Sequence, residues 1–107
     1  MRRGDLVTIA LSGDYGKLRP ALVVQADAFA EMSWVTVLRV TSELHDWPLF
    51  RITVEATKDT GLEKRSQVMV DKAATVPRTR IGQRIGCLDG NTMEAVSMAL
   101  GKFLGLD

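Results

Sequence analysis

The apolar positions of this chain fall mainly into short blocks that favour β-strands. Residues 6–11 and 34–41 are rich in β-branched side chains, and residues 50–55 alternate apolar with polar ones. Such alternation is typical of a strand with one buried and one solvent-facing side. Residues 20–25 are almost continuously apolar, which predicts a strand buried on both faces. Pro20 lacks a backbone N–H and therefore suits the first position of that strand.

Further strand signals follow in the second half of the chain. Residues 66–71 predict a fifth strand, and the segment 74–77 is a short extension of it. Residues 78–82 fit a single helical turn, and residues 84–88 a short sixth strand. The small and polar connection at residues 26–33 has room for one more short turn of helix.

The last segment has the pattern of an amphipathic helix. Asp89 is suited to the N-cap, and Gly105 to the end of the helix. Between them, one apolar stripe recurs at helical spacing: Met93, Val96, Leu100 and Phe103. Five or six short strands and one closing helix predict a mainly β fold, with a strongly bent sheet or partly open barrel beside the helix. The length of 107 residues predicts one domain over residues 1–107.

Composition and charge limit the classes of function. The formal net charge of +1 argues against nucleic-acid binding driven by bulk charge, but it allows a local basic patch. Cys87 is the single cysteine and His45 the single histidine, so one chain cannot form a thiolate or imidazole zinc site. The carboxylates are scattered and no glycine-rich phosphate loop occurs, so we expect neither a metal nor a cofactor. No apolar run approaches the ~18 residues of a membrane span, and we expect a cytoplasmic protein.

Two predicted strand ends hold the most suggestive polar groups. Arg19 precedes the second strand directly, and Thr41 and Ser42 follow the third. If these strands are neighbours, a guanidinium and a hydroxyl converge on one phosphate. Spacing alone favours a plainer interpretation, in which Arg19 pairs with a surface carboxylate and Thr41 caps a turn.

Three runs in a fixed order carry a more specific signal: RGDLV at residues 3–7, GKLRPALVVQ at 16–25 and VTS at 40–42. Later matches lie at residues 61–62, 66–72 and 86–89. Together they closely resemble the MazF/PemK family of toxins, over almost the whole chain from residue 3 to about residue 106.

This resemblance implies a fold, an activity and partners. The fold would be an SH3-like barrel or strongly bent antiparallel sheet of the MazF/CcdB type. The chain would be the toxin of a type II toxin–antitoxin system, a homodimer neutralised by an antitoxin whose disordered tail wraps the RNA groove. It would cut single-stranded RNA (mRNA, with tRNA or rRNA as further substrates) without metal, leaving a 2′,3′-cyclic phosphate and a 5′-OH. Arg19 and Thr41 would be the catalytic residues.

Recognition of the RNA bases is expected to depend on exposed aromatic and loop groups, because single-stranded RNA is bound through stacking and edge contacts. Tyr15 and Trp47 occupy predicted loops, although Trp47 suits a plug at the barrel end or a dimer contact equally well. Trp34 opens a strand, and we expect it in the core. The other candidate RNA contacts are Lys17, Arg39, Ser42, His45, Arg51 and Arg80.

The proton acceptor for the 2′-OH is left open by the sequence. An arginine side chain keeps its proton far above neutral pH and is therefore a poor general base under those conditions. Either Arg19 acts as an electrostatic clamp and proton donor, or another group takes the proton, with His45 and Asp14 as candidates. Family members often carry a glutamate in the loop before this arginine, whereas the loop here reads GDYGK at residues 13–17.

Two other classes of function compete with RNA cleavage. CcdB-like toxins share this fold and bind DNA gyrase without catalysis, but their action depends on a C-terminal tryptophan, and this chain ends KFLGLD. An SH3-like module that binds a peptide is the third possibility, and such an adaptor would not arrest bacterial growth on expression.

Overall fold

The computed structural model describes residues 1–10 and 17–107. In this part of the chain six strands form one sheet, with a single α-helix near the C-terminus. The elements are β1 (Asp5–Ala10), β2 (Leu18–Val23), β3 (Trp34–Thr41), β4 (Arg51–Val54), β5 (Ser66–Pro77), β6 (Ile81–Cys87) and α1 (Gly90–Phe103), with 3-10 turns at Asp27–Phe29 and Arg78–Arg80. The strand order is β4-β5-β3-β2-β1-β6 and every neighbouring pair is antiparallel. The predicted bent antiparallel sheet with a C-terminal helix is confirmed.

Both faces of the sheet are buried along its middle strands. Leu22 and Leu38 point into a cluster that includes Val96 of α1. Val23 and Val37, the neighbours of those two leucines, point into a second cluster on the opposite face. Side chains alternate between the faces of a strand, so a continuous apolar run requires two cores. This confirms the prediction of double burial at residues 20–25.

Two details of the strands differ from the sequence prediction. Pro20 is the third residue of β2 and not the first, and it pairs with Thr8 of β1. The β2–β3 ladder begins only at Ala21, so on the β3 side no ladder needs the missing N–H of Pro20. The two predicted segments at residues 66–71 and 74–77 form one twelve-residue strand, β5.

The helix follows its predicted signals at both ends. The Asp89 carboxylate accepts a hydrogen bond of 2.7 Å from the Thr92 N–H, and Gly105 adopts a φ of +74° after the last turn. Val96 and Ala99 are buried, whereas Phe103 is 54% exposed. The prediction that Phe103 joins the apolar stripe was wrong, because it lies one turn beyond Ala99, the last buried residue of the helix.

The RGD triplet at residues 3–5 ties β1 to its surroundings. The Gly4 N–H donates to the Val23 carbonyl at 2.8 Å, with a φ of +95°. Asp5 is 6% exposed, and its carboxylate accepts from the Arg2 N–H at 2.8 Å and from Arg84 Nε at 3.0 Å. This carboxylate raises the pKa of Arg84 above its ordinary value. The triplet that contributes to the family resemblance is therefore structural.

Candidate functional site

A groove opens where β3 separates from β2 and its pairing with β5 becomes irregular. The β2–β3 ladder ends at the pair Ala21–Arg39, and on the other side the β3–β5 register shifts between Leu38 and Val40. Such a shift marks a bulge, which bends a sheet locally. The groove beside it has a volume of about 440 Å³.

The groove collects four of the residues predicted for the site: Arg19, Arg39, Thr41 and Ser42. Arg19 and Thr41 each lie two residues beyond the last β2–β3 pair, where the same register would set them opposite each other. Arg19 follows the face of Ala21, and Arg39 that of Val37, so both arginines extend the surface of the second core cluster into the groove.

The remaining predicted residues lie elsewhere. Lys17 is exposed just before β2, and Arg80 is exposed in the turn between β5 and β6; neither lines the groove. His45, Trp47 and Arg51 are also absent from the lining and form a separate cluster. The predictions for Tyr15 and Asp14 fall outside the described residues.

Thr41 is held by a local hydrogen bond. Its Oγ1 accepts from the Glu43 N–H at 3.1 Å, so the hydroxyl does cap the turn after β3. A hydroxyl oxygen that accepts one bond still carries an O–H that can donate another. Thr41 therefore retains a hydrogen-bond donor for a group in the groove that it lines.

One wall of the groove is the loop between β4 and β5. Gly61 has a φ of +68°, and a Cβ at this position would lie 1.9 Å from the Ile85 carbonyl oxygen. The Cys87 N–H donates to the Asp59 carbonyl at 2.9 Å, which fastens the same loop to β6. Only glycine allows this approach of two backbones. The loop thereby places Glu63 and Lys64 in the groove wall, two residues that the sequence had not singled out.

His45 and Trp47 form a stacked pair in the loop after Thr41. Their ring centroids are 3.9 Å apart with an angle of 2° between the planes. The Arg51 guanidinium carbon lies 5.0 Å from the Trp47 ring centroid, and His45 Nε2 is 3.1 Å from a Glu43 carboxylate oxygen. Trp47 remains 42% exposed. The pair is thus a partly exposed aromatic surface held from several sides.

The prediction that Trp34 lies in the core was wrong. It is 50% exposed, whereas its neighbour Val35 is buried at 2% exposure. Trp34 is the first residue of β3 and pairs with Pro77 at the end of β5. Alternation assigns the second core cluster to Val35 and Val37, so the Trp34 ring points to the other face, beyond the reach of the first cluster.

Gln67 is a residue of the site that sequence reasoning missed. It is 6% exposed and is the register partner of Thr41. Its Oε1 accepts from the His45 N–H at 3.0 Å, and its Nε2 donates to the His45 carbonyl at 2.9 Å and to Thr53 Oγ1 at 3.2 Å. The available signal was an amide side chain within an otherwise apolar strand, because a buried amide needs partners.

Within residues 1–10 and 17–107, no three His, Cys, Asp or Glu side chains are arranged to hold a metal ion. In the same part of the chain no helix is both long and apolar enough to cross a membrane.

Known proteins are similar to this chain over nearly its full length. A family described as PemK-like, MazF-like toxin of type II toxin–antitoxin system matches residues 2–104. A protein of Mycolicibacterium smegmatis named probable endoribonuclease MazF is 45% identical over 107 residues, which is 99% of this chain and 98% of that protein.

Solved structures agree with this match. The Mycobacterium tuberculosis toxin MazF-mt6 aligns with a TM-score of 0.83 and 26% identity, covering 96% of this chain and 98% of that one. A MazE-MazF crystal structure from Deinococcus radiodurans aligns with a TM-score of 0.80 and 25% identity, over 98% and 96% of the two chains. The resemblance seen in the sequence is therefore confirmed, and the chain belongs to the family of PemK-like, MazF-like toxins of type II toxin–antitoxin systems.

Proposed function

We propose that this toxin is an endoribonuclease that cleaves single-stranded RNA in the groove between β2, β3 and the β4–β5 loop. The observation that supports it most is the placement of Arg19, Arg39 and Thr41 in one groove. The relative at 45% identity is itself named a probable endoribonuclease. The family match also weighs against a CcdB-like gyrase-binding toxin and against a peptide-binding module.

In the proposed reaction the ribose 2′-oxygen attacks the adjacent phosphorus. The O2′–P bond forms, the P–O5′ bond breaks, and the leaving 5′-oxygen takes up a proton from solvent. The products are a 2′,3′-cyclic phosphate and a 5′-OH. Negative charge grows on the non-bridging oxygens, where the Arg19 guanidinium and the Thr41 hydroxyl donate hydrogen bonds. Loss of one such donor typically lowers kcat by about 10²- to 10³-fold. Neither a metal nor a cofactor is part of this scheme.

Glu63 is our candidate for the group that accepts the 2′-OH proton. Among the described residues that line the groove, it is the only carboxylate. His45 does not line the groove, and its ring is engaged by Glu43 and Trp47. A positioned carboxylate is a common general base, and in this role contributes typically about 10²- to 10⁴-fold to the rate.

The same family assignment supports a proposal about the partners of the toxin. A MazE-MazF complex is known from Deinococcus radiodurans, and we propose that a cognate antitoxin with a disordered tail covers the groove here as well. We further propose a cytoplasmic homodimer that acts on mRNA, with tRNA or rRNA as additional substrates. We also propose that residues 1–107 form one toxin domain.

The proposal is tested by incubating the purified, antitoxin-free protein with mixed single-stranded RNA in excess EDTA and mapping the fragment ends. We expect discrete cuts that carry a 2′,3′-cyclic phosphate, and their loss in Arg19→Ala. Arg2→Ala is the matched control, because Arg2 has an 81% exposed side chain and is not among the residues that line the groove. Intact RNA from the folded wild-type protein would contradict the proposal.

A further inference from the structure

Arg39 of β3 and Arg51 of β4 lie on the same face of the sheet, with β5 between the two strands. Leu38 and Val40 belong to the first core cluster, so the side chain of Arg39 between them lies on the opposite face of β3. On β5, Met69 lies between Val68 and Val70 of the same cluster and is therefore also on that opposite face. Arg51 of β4 is the register partner of Met69 and therefore occupies the same face. Adjacent strands are about 4.8 Å apart, so the strands β3 and β4, which carry these arginines, are roughly 10 Å apart.

Both guanidinium groups carry buried nitrogen atoms that lack a hydrogen-bond partner among the described residues. These atoms are Nε of Arg39, and Nε and Nη1 of Arg51. Buried charged donors are normally paired, because an unmade hydrogen bond leaves their desolvation uncompensated. An anion that entered beside Met69 would supply acceptors to both side chains.

The surroundings of the two arginines suit an RNA backbone. Arg51 lies over the Trp47 ring, which holds its guanidinium in place, and the His45–Trp47 stack is partly exposed next to it. Asp71 adds one negative charge farther along β5 and has an unpartnered Oδ1, while its Oδ2 lies 3.7 Å from the Lys72 ammonium. The positive charge of the two arginines is therefore only partly offset.

We propose that Arg39 and Arg51 form a second phosphate-binding subsite for single-stranded RNA. The RNA backbone would leave the Arg19–Thr41 end of the groove and cross β3, β5 and β4, with a base of that segment against the His45–Trp47 stack. Aromatic stacking next to a basic track is how proteins commonly hold single strands. This inference rests on the proposed endoribonuclease function and adds the path of the substrate.

The test measures how binding depends on salt. The probe is a mixed-sequence 2′-O-methyl RNA, which cannot be cut because the attacking hydroxyl is blocked. Each phosphate contact contributes about 0.7 to the slope of log K against log salt concentration for single strands. We expect Arg39→Gln and Arg51→Gln each to lower the magnitude of the slope by about 0.7. Arg51→Lys should keep the slope, because it keeps the charge, and Arg2→Gln should leave it unchanged as the matched control.

The outcomes separate this subsite from the proposed function. If both glutamine variants keep the wild-type salt slope while the wild-type protein cleaves RNA, the subsite is overturned and the ribonuclease function is still supported. A wild-type protein that neither binds nor cleaves RNA would contradict both. Thermal denaturation of each variant identifies loss by unfolding, and if Arg51→Gln unfolds, an unchanged slope in Arg39→Gln is sufficient to overturn the subsite.

Discussion

Thr41 combines a structural and a chemical role at the scale of a single residue. Its oxygen accepts the Glu43 N–H at 3.1 Å, the turn-capping contact that spacing alone favoured. The same side chain lines the groove with Arg19. Because a hydroxyl accepts and donates at once, the capping bond orients the group for donation to a phosphate oxygen. The two interpretations of Thr41 are therefore compatible.

The proposed role of Glu63 leads to a prediction about the rate of cleavage. Glu63→Gln should lower kcat by about 10²- to 10⁴-fold, because the amide cannot accept the 2′-OH proton. The effect is measured by single-turnover cleavage of single-stranded RNA. Glu94→Gln on the exposed side of α1 is the matched control. A Glu63→Gln enzyme that cleaves at the wild-type rate would exclude this carboxylate as the base.

The loop at residues 42–48 shows how one element is positioned by another. It has no regular secondary structure, yet the Gln67 amide of β5 pairs with both backbone groups of His45. The loop thus depends on β5, the strand that also borders the groove through Met69. The aromatic stack and the groove are connected through this strand.

Removal of the Gln67 amide should release the loop. Gln67→Leu leaves the His45 N–H and carbonyl without partners, at a cost of about 1–3 kcal/mol. We expect a lower urea midpoint, a change in Trp47 fluorescence and a higher KM for RNA. Gln67→Glu keeps the acceptor for the His45 N–H but sets a carboxylate oxygen against the His45 carbonyl at a buried position, so it should also be destabilised. If Gln67→Leu were as stable as the wild type, the amide would not be what holds the loop.

The helix cap makes stability depend on pH. Hydrogen bonds from Thr92 lower the pKa of Asp89 in the folded protein. The ionised Asp89 therefore contributes fully to the free energy of unfolding above the ordinary aspartate pKa of about 3.9. This contribution is lost as the pH falls toward the lower pKa of the folded protein. Asp89→Ala should lower the melting temperature at pH 7, and the difference should shrink at acid pH. Asp89→Asn, which also caps, should remain stable without this pH dependence. A difference in melting temperature between Asp89→Ala and the wild type that stays constant down to pH ~2 would contradict this role of the ionised Asp89.

At the scale of the whole molecule, the groove depends on contacts between distant parts of the chain. The β4–β5 loop is pressed against β6 at two glycines, and a Cβ on Gly86 would lie 2.3 Å from the Asp59 carbonyl oxygen. Because β6 pairs with β1 at the far edge of the sheet from β4, this contact links its two edges. The bent sheet is held in shape where the site is formed.

Gly61→Ala should therefore damage both stability and activity. The added methyl meets the Ile85 carbonyl and the backbone keeps a φ of +68°, so we expect a loss of at least about 1–3 kcal/mol. The loop should also shift and weaken cleavage through Glu63. Gly101→Ala is the matched control, since nothing lies within 4 Å of a Cβ there and alanine favours a helix by about 0.5–1 kcal/mol. Equal stability of the two variants in urea would contradict the close approach.

Local patterns predicted most of the elements. Residues 34–41 coincide with β3, and the Asp89 cap and Gly105 end are where the sequence placed them. Predictions of burial failed where burial depends on packing by another element. Examples are Trp34 at the start of β3 and Phe103 beyond the buried part of α1. Burial is decided by neighbours from other elements, which periodicity does not contain.

By itself, the sequence determined the strand and helix signals, the family and the placement of Arg19 and Thr41 at strand ends, because these depend on local periodicity and on runs of neighbouring residues. Only the tertiary structure decided that Glu63 enters the groove wall and that Gln67 holds the His45 loop. It also decided that Arg39 and Arg51 share one face. These contacts follow from strand order, from register and from the bulge at Arg39. All three are set by long-range pairing and packing, which produce no periodic pattern in the sequence.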